Sequence, residues 1–443
     1  MVDGSSLLLD LDGVVVESVQ RLADGTRLVG VLTAVEWVGI CPDCGERSTR
    51  SKGWVATSPR DVQAGPDRPI LRRRKRKWLC PSTVFTEAVP GVLARARVTP
   101  RAKAVMATEV LDKDRSVAAV ASDYRCGWHT VHDRVITVAD AALEAEPAPV
   151  VVLGIDETRR GKAKWETDPD TGRRRWVDRW DTGLVDITGD QGLLAQVNGR
   201  NFQTVTDWLA QRDPGWSAQI THVAIDLSAV YARAVRLGLP GAIVIADRFH
   251  LVKKANDMLD AVRRRITWAQ RGRRGRKIDV ECINRRRLLR GAERLSAEQR
   301  ATLFAKLLSA DPNEDIAAAW IAKELLRELL SCTDRGGLRY EITAALDRFY
   351  RFCAACKVPE VISFARTIEN WQVPIIAAVQ TGLTNARTEG YNRIVKHVGR
   401  IAFGFRNPDN QRRRVRWACT RRVRWACTRR SRQVTPSQHQ CHC

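Results

Sequence analysis

Three acidic residues have a side-chain type and a setting suited to metal-dependent chemistry on phosphates. Asp156 ends the apolar run VVVLGID, Asp226 ends the apolar run ITHVAID, and Glu389 lies in the late basic segment TNARTEGYNRIVKHVGRIAFGFRN. An acid at the end of a buried strand is rigidly held, and carboxylates are ligands that Mg²⁺ prefers. Two such ions can catalyse phosphoryl transfer on nucleic acid. The pattern therefore predicts one carboxylate cluster that binds metal and acts on phosphodiesters.

Other polar residues close to these acids have two interpretations each. Asp247 and His250, in ADRFH, follow the apolar run GAIVIA and are candidate active-site neighbours. The alternative is that Asp247 only caps the helix that follows it. Glu157 comes directly after Asp156, and on an alternating strand it would point to the opposite face, which favours a structural role. Glu369 is a second late acid, but it lacks the basic helical context of Glu389.

The net charge indicates a polyanionic partner. The 443 residues include 74 Lys and Arg against 50 Asp and Glu, which gives a net charge of +24. Nucleic acid is the first expected partner of such a chain, and an anionic membrane surface is the second. The hydrophobic fraction of 44% and the charged fraction of 28% are typical of a globular protein and exclude a disordered one.

Three groups of basic residues are candidates for contacts with DNA phosphates. RRRKRK starts at residue 72, RRRITWAQRGRRGRK starts at residue 263, and two further cations lie on the predicted Glu389 helix at spacings that can share its face. The alternative for any single run is a solvated surface. The candidate DNA contacts in these runs are Arg72, Arg73, Arg74, Lys75, Arg263, Arg264, Lys396 and Arg400.

The N-terminal region, residues 1–95, is predicted to be a small β-rich, zinc-ribbon-like module. Residues 1–40 alternate as strands do, and Cys41, Cys44 and Cys80 follow. A structural zinc normally has four Cys or His ligands, and no His lies between residues 1 and 128. We therefore expect zinc binding to be weak or absent.

Residues 96–148 change to helical spacing. SVAAVASDYRCGWHTVHDRVI contains two apolar helices separated by a break at Arg125–Gly127, which is the helix-turn-helix pattern. Trp128, His129 and Thr130 would open the recognition helix and are therefore candidate DNA contacts.

The rest of the chain is predicted to be an α/β domain with a helical insertion. Residues 149–267 indicate three sequential strands, a helix, a strand, a helix and a strand, which is the ribonuclease-H-like order. Residues 268–380 are expected to be all-helical, and 381–411 carry the Glu389 helix. The tail, 412–443, contains RRVRWACT at 413–420 and again at 421–428, which we interpret as a tandem duplication.

These motifs together resemble the ISL3 family of insertion-sequence transposases, within the DDE superfamily. The resemblance spans about residues 7–420. It implies Asp156, Asp226 and Glu389 as the catalytic triad, with Mg²⁺ or Mn²⁺ as cofactor and DNA-end binding by the N-terminal modules. The family's finger ends in a second cysteine pair, whereas LCPSTVFTE offers Cys80 alone. The motifs that carry the resemblance are CPDCG at 41–45, GIDE at 154–157, IDLSAVY at 225–231, ADRFHLVKKAN at 246–256 and TEGYNRIVKHVGRIAFGFRN at 388–407.

The sequence thus predicts a metal-dependent DNA transposase that cleaves element ends and transfers them to target DNA. A homodimer on DNA is expected because two ends must be brought together. With no apolar stretch of about 20 residues and no basic signal segment, we expect a cytoplasmic, nucleoid-associated protein. The alternatives are a DNA-binding regulator without catalysis and a structure-specific nuclease of ribonuclease-H-like fold.

Overall fold

The computed structural model describes residues 4–63, 69–81, 83–143, 146–168 and 170–433, with side chains described from 6 to 420 within those ranges. The chain forms two compact units. The first contains Met1–Ala145 and Lys396–Arg421, and the second is built on Glu146–Val395.

The first unit opens with a short helix and a five-stranded sheet. The leucine run at residues 7–9 was predicted as strand but is helical, and the first strand begins only at Val14. The elements are α1 (Gly4–Leu9), β1 (Val14–Arg21), β2 (Arg27–Thr33), β3 (Ser51–Thr57), β4 (Ile70–Leu79) and β5 (Val84–Thr86). The strand order is β1-β2-β4-β3, with β5 paired to β4.

Strand β4 buries two residues of the basic run that it carries. Its side chains alternate between the two faces, so Arg72 and Arg74 are exposed while Arg73 and Lys75 are buried. The Arg73 guanidinium donates hydrogen bonds to the Val92 carbonyl at 3.1 Å and to other groups inside the unit. Burial lowers its pKa. The expectation that Arg73 and Lys75 contact DNA is therefore corrected, because neither side chain reaches the surface.

The helix-turn-helix predicted for this unit is present. Its helices are α2 (Pro100–Leu111), α3 (Val117–Asp123) and α4 (Trp128–Leu143). Ser116 caps α3 by accepting a hydrogen bond from the Ala119 amide at 3.1 Å. The turn before α4 includes Arg125 in the left-handed region, at φ 49°. Val120 and Val131 are fully buried and hold the helices together.

The second unit contains a five-stranded sheet in the order β10-β9-β6-β11-β12. Strand β11 runs parallel to β6 and β12, while β9 runs antiparallel to β6 and β10. The elements are β6 (Val152–Arg159), β7 (Lys164–Thr167), β8 (Arg174–Val177), β9 (Trp180–Asp186), β10 (Leu193–Asn198), α5 (Phe202–Ala210), α6 (Pro214–Ala218), β11 (His222–Ile225), α7 (Ala229–Gly238) and β12 (Ile243–Ala246).

Strands β7 and β8 form a separate two-stranded ribbon, whereas the sequence predicted one strand through β8 and β9. The turn between them contains Asp168, whose carboxylate accepts backbone hydrogen bonds from Asp170 and Thr171. Gly172 follows at φ 66°, a conformation that favours glycine. The signal for this turn is the DPDTG segment, which was overlooked.

The segment expected to be helical contains only helices among its regular elements. Leu326 and Phe349 are fully buried in its core, which also includes Leu251 of the preceding helix. The helices, including the long one that precedes the segment, are α8 (Arg248–Arg271), α9 (Val280–Ile283), α10 (Arg285–Leu288), α11 (Ala297–Leu308), α12 (Asp315–Ser331), α13 (Arg339–Ala355), α14 (Pro359–Asn370) and α15 (Gln372–Thr381).

Two helices complete the chain, α16 (Ala386–Ile401) and α17 (Pro408–Gln433). The first copy of RRVRWACT lies on the part of α17 that packs within the first unit. There Trp417 Nε1 donates a hydrogen bond to Asp112 Oδ1 at 2.9 Å, and Arg413 pairs with Asp140. The side chains of the second copy lie outside the described ones. Within the described residues, no helix combines the length and the hydrophobicity of a membrane span.

Candidate active site

Three acids lie at one edge of the second unit's sheet. Asp226 directly follows β11 and Asp247 directly follows β12, and both strands run parallel to β6, which carries Asp156. The carboxyl ends of parallel strands meet at the same edge, so these side chains converge. His250 joins them through its hydrogen bond with Asp247, which is the main cause that raises its pKa, and the charges of Asp226 and Asp156 raise it further. The structure therefore brings together four of the five predicted active-site residues directly.

The electrostatics of this edge favour a bound cation. Burial raises the pKa of Asp156 to about 7, and the charges of Glu157 and Asp226 add to the effect. Burial also raises the pKa of Asp226 to about 6, and the charge of Glu157 is the next largest cause of this increase. Among the described residues, Asp226 Oδ1 is buried without a hydrogen-bond partner. A buried carboxylate oxygen without a donor is costly unless a cation compensates it, so Asp226 beside Asp156 fits a hard divalent metal.

Asp247 connects two helices rather than capping its own. It stands at the N-cap position of α8 but makes no side-chain capping hydrogen bond. Its Oδ2 accepts a hydrogen bond from His250 Nδ1 at 2.9 Å. Its Oδ1 accepts one from the backbone amide of Asn385 at 3.3 Å. This carboxylate therefore orients His250 and holds the start of α16.

Glu157 points to the other face of β6, as strand alternation predicts. Its carboxylate lies beside Tyr231, where it contributes to raising the pKa of the phenol, after burial as the main cause. The Tyr231 hydroxyl lies 2.9 Å from Thr182 Oγ1 within the core behind the sheet. Glu157 is thus separated from Asp156 by the strand, although its charge is still felt at Asp226.

Helix α16 docks closely against β6 at a glycine. A β-carbon built at Gly154 would lie 2.8 Å from Asn385 Oδ1, and closer still to Thr388 Oγ1. Asn385 also donates its side-chain amide to the Ile155 carbonyl at 3.3 Å. Only glycine leaves room for this approach, so the GIDE strand and α16 are shaped to fit each other.

One asparagine on α16 contacts Asp156 directly. Asn392 Nδ2 donates a hydrogen bond to Asp156 Oδ2 at 2.7 Å, and its Oδ1 accepts one from Thr158 at 2.6 Å. Glu389 precedes Asn392 by three residues and follows Asn385 by four, so all three share one stripe of the helix. The half-buried Glu389 therefore lies between two residues anchored to β6.

Glu389 itself makes no hydrogen bond or ion pair with Asp156 or Asp226 in the described part of the chain. Its neighbours Asn385 and Asn392 contact β6 on either side of it in the sequence. These neighbours, Asn385, Thr388 and Asn392, were not predicted from the sequence. The available signal was their helical spacing together with the glycine in the facing strand.

The candidate DNA contacts differ in how far their side chains are exposed to solvent. Trp128 and His129 are exposed at the start of α4, and Thr130 is half-buried. Arg263 is buried and bonded to Asp260 at 2.8 Å, so its assignment as a DNA contact is corrected: this side of α8 faces the core. The remaining candidates with exposed side chains are Arg72, Arg74, Arg264, Lys396 and Arg400.

The three cysteines of the N-terminal module converge. The sulfur atoms of Cys41, Cys44 and Cys80 lie within 4.8 Å of one another, and the last two are 3.5 Å apart. Thr83 exchanges backbone hydrogen bonds with Cys80, at 2.8 and 3.2 Å, in a tight turn. Three thiolates fit zinc with one position left open.

Comparisons with protein families match the chain in three consecutive segments. Residues 153–415 match the ISL3 model described as "Transposase". Residues 87–139 match "Helix-turn-helix domain of transposase family ISL3". Residues 37–82 match "zinc-finger of transposase IS204/IS1001/IS1096/IS1165".

Individual proteins are also similar to the chain. The transposase for insertion sequence element IS1001 of Bordetella parapertussis is 26% identical over 404 residues, which cover 89% of this chain and 92% of that protein. The transposase for insertion sequence element IS1557 of Mycobacterium tuberculosis is 34% identical over 213 residues, covering 43% and 46%. A solved structure, the Drosophila P element transposase strand transfer complex, matches with a TM-score of 0.35 and 10% identity, over 72% of this chain and 91% of that one.

Proposed function

The chain belongs to the ISL3 family of transposases, and from this membership we propose that Asp156, Asp226 and Glu389 form its metal-binding catalytic triad. The reaction is cleavage and strand transfer at the ends of an insertion sequence. The observation that carries the proposal is the hydrogen bond from Asn392 to Asp156, because Asn392 lies one turn after Glu389 on α16. The buried, unpartnered Asp226 Oδ1 supports it.

The three carboxylates would hold Mg²⁺ or Mn²⁺. When bound, such ions activate the attacking oxygen and neutralise the leaving oxygen of the phosphodiester. The protein's own part is to hold the carboxylates in a fixed arrangement. Asn392 orients Asp156, and Asp247 orients His250 beside the acids. We assign Asp247 and His250 as active-site neighbours that position the reacting groups.

We assign the second unit to the ribonuclease-H-like class, with residues 268–380 inserted before the segment 381–411 that carries Glu389. The strand order β10-β9-β6-β11-β12 supports this assignment, because it is the order expected from three sequential strands followed by two crossover strands. The domains 1–95 and 96–148 would bind the element end.

The DNA partners are the element end and the target. The exposed Trp128 and His129 at the start of α4, together with Arg72 and Arg74 on β4, support contact with a duplex. Two copies of the chain acting on two ends are expected on geometric grounds. The mass of the complex with end DNA tests this, because a complex with only one copy of the chain would contradict it.

The catalytic proposal is tested with the full chain and a duplex that carries the element end and its flanking DNA. Asp156→Asn, Asp226→Asn and Glu389→Gln should each lose cleavage and strand transfer while retaining DNA binding. The matched control is Glu369→Gln, an exposed acid on α14, which should keep activity. Cleavage at the unmodified rate by any of the three variants would remove that residue from the triad.

Two other outcomes would change the assignment of function. A chain that binds end DNA but never cleaves it with Mg²⁺ or Mn²⁺ would be a regulator. Cleavage that does not depend on the element-end sequence would indicate a structure-specific nuclease.

A further inference from the structure

The ribbon of β7 and β8 exposes a pair of tryptophans. Trp165 and Trp176 lie directly opposite each other in the ladder, with ring centroids 5.6 Å apart. Their exposed fractions are 55% and 57%. Two large aromatic side chains that are half-exposed on a two-stranded ribbon can stack with another planar group.

The face that carries the tryptophans is cationic. Residues alternate along each strand, so Thr167 and Arg174 share the face of Trp165 and Trp176. The Arg174 guanidinium lies 5.7 Å from the centre of the Trp165 ring. None of these four ladder residues is acidic.

The opposite face differs in chemistry. Its ladder residues are Lys164, Glu166, Arg175 and Val177. Glu166 is paired with Lys164 at 3.2 Å. This face therefore has a cation, Arg175, but no aromatic ring, which makes it a natural control for the tryptophan face.

The ribbon rises from the edge of the sheet that carries the acids. It connects β6 to β9 and leaves β6 at the carboxyl end, a few residues after Asp156. Asp226 and Asp247 follow the parallel strands β11 and β12 at that same edge. A polynucleotide strand held at the acids would therefore pass near the base of the ribbon.

We infer that the Trp165–Trp176 face binds unpaired nucleotides of the element end by base stacking, with Arg174 contributing its positive charge. Bases stack on exposed aromatic rings regardless of sequence, and neighbouring cations hold the backbone. This inference rests on the proposed function, since it takes the DNA strand to be the one presented to the acids.

The test is equilibrium binding by the full chain, without divalent metal, to two labelled DNAs. One is a blunt element-end duplex, and the other has a short single-stranded extension containing 2-aminopurine. We expect the extended DNA to bind about tenfold more tightly and its 2-aminopurine to be quenched. The double variant Trp165→Val with Trp176→Val keeps strand-forming residues and should lose the preference and the quenching, with blunt-duplex affinity unchanged.

Two controls make the result decisive. Trp165→Phe with Trp176→Phe keeps two aromatic faces and should retain most of the preference, while Arg175→Ala, on the opposite face, should retain all of it. Three outcomes would overturn the inference. The Val and Phe double variants could lose the preference for extended DNA equally, or both could retain it. The unmodified chain could also show no preference. Asp156→Asn should bind like the unmodified chain, so failure of the catalytic proposal is detected separately, by cleavage.

Discussion

Asn392 donates a hydrogen bond from its side-chain amide to Asp156 Oδ2 at 2.7 Å, across 236 residues of sequence. The same amide accepts a hydrogen bond from Thr158, so it contacts two residues on one face of β6. This contact sets the position of α16 along the strand, and with it the position of Glu389.

Replacing Asn392 with Ala should reduce DNA cleavage by roughly 10- to 100-fold, the usual range for partners that orient metal-binding groups. No carboxylate is removed, so DNA binding should persist. The measurement is the cleavage rate on element-end DNA as a function of Mg²⁺ concentration. Arg393→Ala, an exposed neighbour on α16, is the control. Equal rates for Asn392→Ala and the unmodified chain would show that the amide does not position Asp156.

Gly154→Ala should displace the start of α16. The new methyl group would lie 2.8 Å from Asn385 Oδ1 and nearer to Thr388 Oγ1. We expect a loss of about 1–3 kcal/mol in the free energy of unfolding, together with slower cleavage. Gly183→Ala is the control: it pairs with Asp156 on β9, and its nearest neighbour would lie at an ordinary 3.5 Å. If both variants behave alike in denaturant titration and cleavage, close docking at Gly154 is not needed.

In the presence of chelator, Asp226→Asn should increase the free energy of unfolding. Added Mg²⁺ should no longer stabilise this variant. Burial raises the pKa of Asp226 to about 6, so ionising it in the folded state costs free energy. That cost is absent below about pH 4, where both states are protonated, and is complete above the folded pKa. At about pH 8 the gain should be on the order of 1–3 kcal/mol, measured by denaturant unfolding. Asp207→Asn, an exposed acid on α5, should change little. A destabilised Asp226→Asn protein in chelator would refute the idea.

Thr83→Cys should convert a weak zinc site into a tight one. Thr83 follows Cys80 at the spacing that separates Cys44 from Cys41 and closes a turn with it. The unmodified chain should lose zinc on dialysis against a mild chelator, whereas the variant should keep one ion. Cobalt substitution should show stronger thiolate charge-transfer absorption in the variant. Thr86→Cys, further along β5, is the control. One zinc retained by the unmodified chain would mean that three thiolates suffice.

Replacing Arg72 on β4 should weaken DNA binding, whereas replacing its neighbour Arg73 should lower the stability of the fold. Arg72→Ala removes an exposed cation, so DNA affinity should fall and the slope of log affinity against log salt should shrink by about 0.9 if one phosphate contact is lost. Arg73→Ala removes a buried, hydrogen-bonded guanidinium, so the free energy of unfolding should fall instead. Salt-dependent binding and denaturant titration on both variants check this. An unchanged salt slope in Arg72→Ala would exclude that residue from the DNA path.

The sequence by itself determined the family, the order of the modules and the elements that carry the acids. Apolar runs that end in Asp156 and Asp226 predicted strands correctly, because hydrophobic periodicity and length reflect burial that any fold must achieve. The helix-turn-helix was likewise predicted, since its apolar spacing and its Gly turn are local signals. The roles of the acids in catalysis remain predictions.

Tertiary structure alone decided which polar side chains meet. Alternation along β4 predicts that Arg72 and Arg73 face opposite ways, but not which of them is buried. That choice depends on partners such as Glu87 and Val92, which only the folded sheet brings to Arg73. For the same reason the contact between Asn392 and Asp156 was not foreseen. Contacts between residues far apart in sequence depend on packing, and no local pattern in this single chain records them.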